Sequence, residues 1–276
     1  MTDGRLIAIE DPGDFRIAEF RDIRERDMTG REGRFIAEGT VVLRLLAEAH
    51  VSQRGFVAEK VLLLRNRVAG LEEIIAAFPE DVPVYVADAA VLDGIVGFHL
   101  HRGVLAIGRR IAEDDVDALL GALPEHALVL VGCGISNHDN VGSMFRNAAA
   151  FGADALLLDE TSCDPLYRKA LRVSVGSVLT MPYRRQGAAV DILRALADGG
   201  FAIWSLSPRG QTDIRKIAPS KRVAFVVGTE GEGLPEAILS AFGSARISQA
   251  PGLDSLNVAT ATGIALFELA SAMRRI

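Results

Sequence analysis

Cysteine is nearly missing from these 276 residues: Cys133 and Cys163 are the only two, far apart and without a Cys-x-x-Cys. A disulfide framework and a zinc site are both disfavoured on that count. No stretch reaches the roughly 18 uninterrupted apolar residues that a spanning helix needs, so no membrane partner is expected. Met1-Thr2-Asp3-Gly4 lacks a basic region followed by an apolar one, so no secretion signal is expected and the compartment reads as the cytoplasm. Lysine is scarce as well. Only Lys60, Lys169, Lys216 and Lys221 occur among 30 basic residues, and the rest are Arg, whose planar fork matches phosphate geometry. The net charge of −6 disfavours bulk coating of nucleic acid. Yet Arg clusters occur at Arg16, Arg21, Arg24, Arg26, Arg31 and Arg34, at Arg109 and Arg110, around Arg168 and Arg172, at Arg184 and Arg185, and at Lys221 and Arg222. Solvated ion-paired faces and a patchwise nucleic-acid surface both remain open.

What is present is α/β rhythm. A chain of this length exceeds what one core usually carries, which predicts two domains. Residues 1–30 read as a basic N-terminal arm, with a turn at Asp11-Pro12-Gly13-Asp14 and a short helix or arm over Phe15–Asp27. Residues 31–110 read as a small α/β domain, with helices at Gly39–Ala49 and Leu71–Phe78 and strands at Lys60–Leu64, Val82–Ala87 and Val104–Gly108. His99 and His101 alternate on a strand-like stretch. They lack a carboxylate or Cys partner at ligand spacing, so they read as structural or RNA-facing. Residues 111–125 read as a linker. From 126 onward strands are expected at Ala127–Val131, Ala155–Leu158, Val178–Met181, Phe201–Leu206, Val223–Val227 and Ala245–Ser248. Helices are expected at Val141–Phe151, Pro165–Val173, Ala188–Ala197, Pro235–Ala241 and Asn257–Arg275. That alternation predicts a mostly parallel sheet with helices on both faces, with ligands outside the carboxyl ends of the strands.

Three loops can carry chemistry. The first, Gly132–Gly142, opens with Gly132-Cys133-Gly134, a weak dinucleotide pattern whose third Gly is replaced by Asn137. It leads to Arg146, a cation among Met144, Phe145, Ala148 and Phe151, either paired structurally or aimed into a site. The second is Gly228-Thr229-Glu230-Gly231-Glu232-Gly233. Glycine lets a ligand approach the backbone, while two Glu and the missing Lys-Ser/Thr ending exclude a phosphate loop. S-adenosylmethionine, with its sulfonium, amine and ribose hydroxyls, suits such a loop. The third is Pro251–Thr260, entering a C-terminal helix with Val258, Thr262, Ala265, Leu266, Leu269 and Met273 at helical spacing and a small-residue opposite face. Ile247 and Leu256 suit the two faces of an adenine. Ser255 and Asn257 supply hydrogen bonds or cap the helix.

Taken in order, Asn140-Val141-Gly142-x3-Arg146-Asn147-Ala148-x2-Phe151-Gly152, Gly228-x-Glu230-Gly231-x-Gly233 and Ser255-Leu256-Asn257-Val258 resemble the three motifs of the SpoU (TrmH-like) family of the SPOUT superfamily. The match covers about residues 126–276. Phe35-Ile36-Ala37-Glu38-Gly39 and His101-Arg102-Gly103-Val104-Leu105-Ala106 are similar to the small substrate-binding domain that many members carry. The resemblance implies a deep trefoil knot, a homodimer, and S-adenosylmethionine-dependent methylation of a ribose 2′-hydroxyl in tRNA or rRNA, with no metal. Residue by residue it implies Gly228, Ile247 and Leu256 in the cofactor pocket with Leu206 near the adenine. It implies Asn140, Arg146, Glu230, Ser255 and Asn257 as the polar active-site set. A guanidinium is a poor base, so Arg146 is expected to orient and stabilise the attacking oxygen, with a substrate phosphate as one acceptor for the proton. Two positions depart from the pattern: Ile247-Ser248-Gln249 stands where Ile-Pro-Met is frequent, and Pro251 stands where Gly is. The competing readings are a catalytically silent RNA-binding or assembly protein and, tied only to Gly132-x-Gly134, a nucleotide-dependent oxidoreductase.

Overall fold

A computed structural model describes residues 5–21, 33–96, 103–111, 115–218, 220–229, 231–252 and 254–276. Glu230, His99, His101, Arg24, Arg26 and Arg31 lie outside the described residues. The chain divides into two compact units, Met1–Glu113 with Leu166–Thr180, and Asp114–Pro165 with Met181–Ile276.

The first unit holds β1 (Leu6–Ile9), β2 (Arg34–Glu38), α1 (Thr40–Val51), β3 (Phe56–Leu64), α2 (Glu72–Ala77), β4 (Val84–Ala87), α3 (Ala89–Val96) and β5 (Val104–Arg110). Its sheet runs β1-β4-β3-β5-β2, with β1, β4 and β3 parallel and β5 antiparallel to both β3 and β2. The expected basic arm is here partly an edge strand. Leu6-Ile7-Ala8-Ile9 pairs with Val84–Ala87, and the 3-10 turn Phe15–Phe20 fully buries Ile17 and Phe20. Asp14 starts that turn by accepting from Arg16 N at 2.9 Å, and Lys60 Nζ holds it through Glu19 at 2.8 Å. The charge-rich composition hid two apolar anchors at a short spacing. On the opposite edge the Phe35 ring, 1% exposed, lies over its antiparallel partner Gly108 and meets Phe56 edge-on at 5.8 Å.

The second unit begins with α4 (Val116–Ala122), inside the stretch expected as a linker; Asp115 caps it by accepting from Ala118 N at 2.8 Å, and Leu119 and Leu120 are buried. It continues through β6 (Ala127–Gly132), α5 (His138–Ala150) and β7 (Ala155–Leu158). The chain then passes through 166–180, which cluster with the first unit and contain α6 (Arg168–Val173). β8 (Tyr183–Arg185), α7 (Ala189–Asp198), β9 (Ala202–Leu206), β10 (Thr212–Asp213), β11 (Arg222–Val227), α8 (Glu236–Ala241), β12 (Gly243–Arg246) and α9 (Val258–Ala272) complete it. The seven strands run in the order β10-β12-β9-β11-β6-β7-β8, and every pairing is parallel.

Two expected strands differ. Val178–Met181 is not a strand: Ser177–Leu179 forms a 3-10 turn, and the strand is β8. Gly176 at φ +82° and Val175 at φ +54° turn the chain left-handed just before it, and Leu179 N then bonds Gly176 O at 2.9 Å. A short buried apolar run reads alike for either conformation. Ala245–Ser248 is displaced to Gly243–Arg246; beyond Arg246 the chain leaves the ladder, and Ser248 Oγ donates to the Asp213 carboxylate.

Side-chain alternation divides the second unit's core. Val129, Val131, Ala224, Val226 and Ile203 face a cluster with Leu119 and Leu120 of α4, Ile192, Leu193 and Leu196 of α7, and Ile238 of α8. The other face takes α5 and α9, whose Val141, Met144, Phe145, Ala148, Ala265, Leu266 and Leu269 are buried. No described helix is long and apolar enough to cross a membrane.

Gly108→Ala tests the first unit's packing, since an added Cβ would collide with the Phe35 ring. Overpacking of this kind costs about 1–3 kcal/mol, so the urea midpoint of the variant is expected to fall.

Candidate active site

The parallel sheet brings three of the four expected cofactor residues and Asn140 to one edge. Gly132 pairs with Val227, Val226 with Ser205, and Leu206 with Ala245. The carboxyl ends of β6, β11, β9 and β12 therefore lie side by side. Leu206 ends β9, Gly228 follows β11, and Ile247 follows β12. Leu206, Ile247 and Leu256 are all half-buried. The oxygen Oε1 of Gln249, in the same segment as Ile247, is buried with no hydrogen-bond partner among the described residues. A buried acceptor left unpaired is costly and calls for a donor. An exocyclic amine of a bound nucleoside would supply one, so the segment's chemistry fits a nucleoside cofactor.

The first loop is locked from within. Asp159, buried at the end of β7, accepts from Gly134 N at 2.9 Å, Ser162 N at 3.0 Å, Ser162 Oγ at 2.6 Å and Thr161 Oγ1 at 2.8 Å. Ser162 Oγ accepts in turn from Ile135 N at 3.0 Å. The backbone N–H groups of Gly134 and Ile135, which a pyrophosphate would need, are thus already engaged, one of them by a carboxylate. The dinucleotide reading of Gly132-x-Gly134 fails on that ground. The composition did not single out Asp159; its only signal is an acid directly after an apolar strand and before Thr161 and Ser162. Burial, with Asp159 nearby, pushes the Cys133 thiol up to about 12, and burial, with Asp164 nearby, pushes Cys163 up to about 11. Neither thiol is a nucleophile at neutral pH.

The Gly-rich loop folds back on its start. Thr229 and Gly233 form an isolated bridge, Gly233 N bonding Thr229 O at 3.1 Å. Gly231 and Gly233 have φ of +98° and +72°, which glycine adopts without strain. A Cβ on Gly228 would lie 2.5 Å from the Gly233 carbonyl carbon, and one on Gly134 would lie 2.7 Å from Thr229 Cγ2. The loops after β6 and β11 therefore touch.

The third segment closes on the first. Asn257 Oδ1 caps α9 by accepting from Ala259 N at 2.9 Å and Thr260 N at 3.3 Å, while its Nδ2 donates to Asn140 Oδ1 at 3.0 Å. Asn140, 4% exposed, sits in the first turn of α5, which Asn137 caps by accepting from Asp139 N at 2.9 Å. Capping, one of the two alternatives at the sequence level for Asn257, is thus observed, and the same side chain also reaches Asn140. Farther along the two helices, Asn147 Nδ2 donates to Ala259 O at 2.7 Å, and Gly263 lets Asn147 approach α9. Arg275 ties down the chain end through Asp154 at 2.7 Å and the carbonyl of Gly152 at 2.6 Å.

Arg146 is exposed on α5 and makes no ion pair among the described residues, which leaves its guanidinium available. Ser255 is exposed two residues before Asn257. Among the described residues no group of three His, Cys, Asp or Glu side chains could hold a metal ion. Several Arg clusters are consumed internally. Arg34 and Arg109 flank Glu59 at 2.7 and 2.6 Å, Arg185 donates to the carbonyls of Ser162 and Glu160 at 2.6 Å each, and Arg222 lies over the Phe201 ring at 4.5 Å.

A wholly parallel sheet with three converging loops at its carboxyl edge defines an α/β protein that binds a nucleotide-like ligand. The comparisons sharpen this. The profile of the SpoU rRNA Methylase family matches residues 127–267. An uncharacterized tRNA/rRNA methyltransferase of Mycobacterium bovis is 36% identical over 94% of this chain and 89% of its own length. The 23S rRNA (guanosine-2′-O-)-methyltransferase RlmB of Photobacterium profundum is 32% identical over 61% of this chain and 70% of its own. The S-adenosylmethionine-bound rRNA methyltransferase from Sinorhizobium meliloti superposes with a TM-score of 0.78 at 25% identity, covering 99% of each chain. The chain belongs to the SpoU rRNA methylase family.

Asn257→Ala removes a helix cap worth about 1 kcal/mol and the bond to buried Asn140, worth about another 1 kcal/mol. The melting temperature is expected to drop by about 4–8 °C for a unit of this size, as read by calorimetry. Asn257→Asp, which keeps the cap, is expected to lose less.

Proposed function

We propose that this chain transfers a methyl group from S-adenosylmethionine to a ribose 2′-hydroxyl of tRNA or rRNA. The observation that carries the reading is the Asn257–Asn140 bond at 3.0 Å, which draws the C-terminal motif onto the first motif beside the ends of β11 and β9. When bound, the cofactor supplies a sulfonium methyl for in-line displacement: the ribose oxygen gains the carbon, the carbon–sulfur bond breaks, S-adenosylhomocysteine leaves, and one proton is released.

The chain's own residues position and polarise. Leu206, Ile247 and Leu256 would hold the adenine by apolar contact, Gln249 Oε1 would accept from its amine, and Gly228, whose missing Cβ lets the loop fold back against Gly233, would line the pocket. Arg146 is exposed and makes no ion pair among the described residues, so its guanidinium can orient the 2′-hydroxyl and stabilise the negative charge that develops on it. Because a guanidinium does not accept a proton, the proton would pass to a substrate phosphate or to water. Asn140 and Asn257 hold the two motifs in register, and Ser255 and Glu230 would complete the polar set. Holding the reactants in line supplies much of the rate.

We further infer that the C-terminal segment is knotted, as the family resemblance implies, and that the chain pairs with a second copy. The exposed apolar side chains of Ile264 and Phe267 on α9 support a covered face there. The first unit would hold the RNA.

Methyl transfer to bulk tRNA and rRNA from labelled donor is the test. Arg146→Ala is expected to lower kcat by a factor of about 100 or more while cofactor affinity stays within about twofold. Full activity in that variant would overturn the assigned role.

A further inference from the structure

The segment from Ile247 to Asn257 carries two of the four expected donor-binding residues, Ile247 and Leu256, yet its described residues have no regular secondary structure. Its far end is fixed by Asn257. Its near end is fixed by a device outside the three motifs. Asp213, 8% exposed, ends the two-residue strand β10 and accepts from Ser248 Oγ at 2.8 Å. The same carboxylate is held by Arg215, through its backbone N at 3.0 Å, Nε at 2.9 Å and Nη2 at 2.7 Å. This fork leaves the carboxylate one orientation. These bonds, with Arg215 first and Ser248 second, hold the Asp213 carboxyl well below the usual carboxylate range, so it stays a charged acceptor through the physiological range.

Strand β10 is itself anchored to β12. Thr212 pairs with Ala245 and Asp213 with Arg246. Arg246 Nη1 donates to the carbonyls of Gly210 and Gln211 at 2.7 Å each, and Gln211 N donates to Ser244 Oγ at 3.1 Å. Gly210 lies so close to the Ala245 backbone that any Cβ would collide with it. A two-residue strand gains little from its own ladder, so this density of side-chain bonds needs a reason beyond the sheet. The reason lies in what Asp213 catches: Ser248, between Ile247 and Gln249.

We propose that Asp213 and Ser248 are positioning residues for the methyl donor, the carboxylate–hydroxyl bond holding Ile247 and Gln249 where the adenosine end of the donor sits. Neither touches the donor. The assignment rests on the methyltransferase reading above.

Calorimetric titration with S-adenosylhomocysteine separates the two. Wild-type protein is expected to bind, Ser248→Ala to bind about tenfold more weakly, the loss of one charge-assisted hydrogen bond, and Ser248→Thr, which keeps the hydroxyl, to bind within about twofold of wild type. In turnover assays the KM for the donor is expected to rise in Ser248→Ala while kcat at saturating donor holds, a split that mere loss of stability would not produce. Asp213→Asn should behave like Ser248→Ala; if it does not fold, the Ser248 pair decides alone. Equal affinity of Ser248→Ala and wild type would overturn the clamp and leave the methyltransferase reading standing. No binding by folded wild type would overturn that reading and the clamp with it.

Discussion

One side chain sets the geometry on which the second unit depends. Asn257 uses its carbonyl to cap α9 and its amide to reach Asn140 on α5, joining positions 117 residues apart. Neither function is replaceable by the other's usual substitute. A serine or aspartate would cap the helix but could not also donate to a buried carboxamide oxygen in the same rotamer. Because α9 packs along α5 through Gly263, Asn147 and the Phe151–Phe267 ring pair, the angle set at Asn257 propagates along the helix to Arg275. The small residues that give α9 its low-relief face are what allow that approach.

The loops around this contact are stiffened by bonds made before any ligand arrives. Asp159 holds the first loop at Gly134 N, the Thr229–Gly233 bridge closes the second, and Asp213 and Asn257 hold the two ends of the third. Preorganisation of this kind lowers the ordering cost of binding. It also assigns different tasks to acids of similar appearance. Asp159 and Asp213 accept multiple short bonds and act as fasteners, whereas Glu232, exposed in the Gly-rich loop, meets solvent.

The α/β order of the second unit was legible because its strands are apolar runs and its helices keep a 3.6 period; Ala155–Leu158 matches to the residue. The places of Asn140 at a helix start, Gly228 after β11 and Asn257 at a helix cap agree with the strand-to-helix contexts expected for them. Three kinds of feature were not legible. Ile17 and Phe20 anchor a charge-rich stretch through a 3-10 turn, whose short period leaves no amphipathic signature. The 177–179 turn mimics a strand because full burial erases periodicity. The fasteners Asp159 and Asp213 act on partners 25 and 35 positions away, Gly134 N and Ser248 Oγ, and spacing in the chain carries no trace of such contacts.

The Arg usage shows how an acidic chain can serve a polyanionic substrate. Many of the Arg residues that cluster in sequence are spent on carbonyls, carboxylates and a ring face, as Arg185, Arg109, Arg34 and Arg222 demonstrate. Arg suits that work, since its five donors can serve several acceptors at once. Bonds to carbonyls and a ring face leave the Arg charge in place, and Arg146 and Arg172 are among the cations exposed to solvent. A protein that neutralises few phosphates releases few counterions, and its binding then depends weakly on salt. A net charge of −6 opposes a polyanion as a whole, so local cations rather than the overall charge have to supply any attraction to RNA.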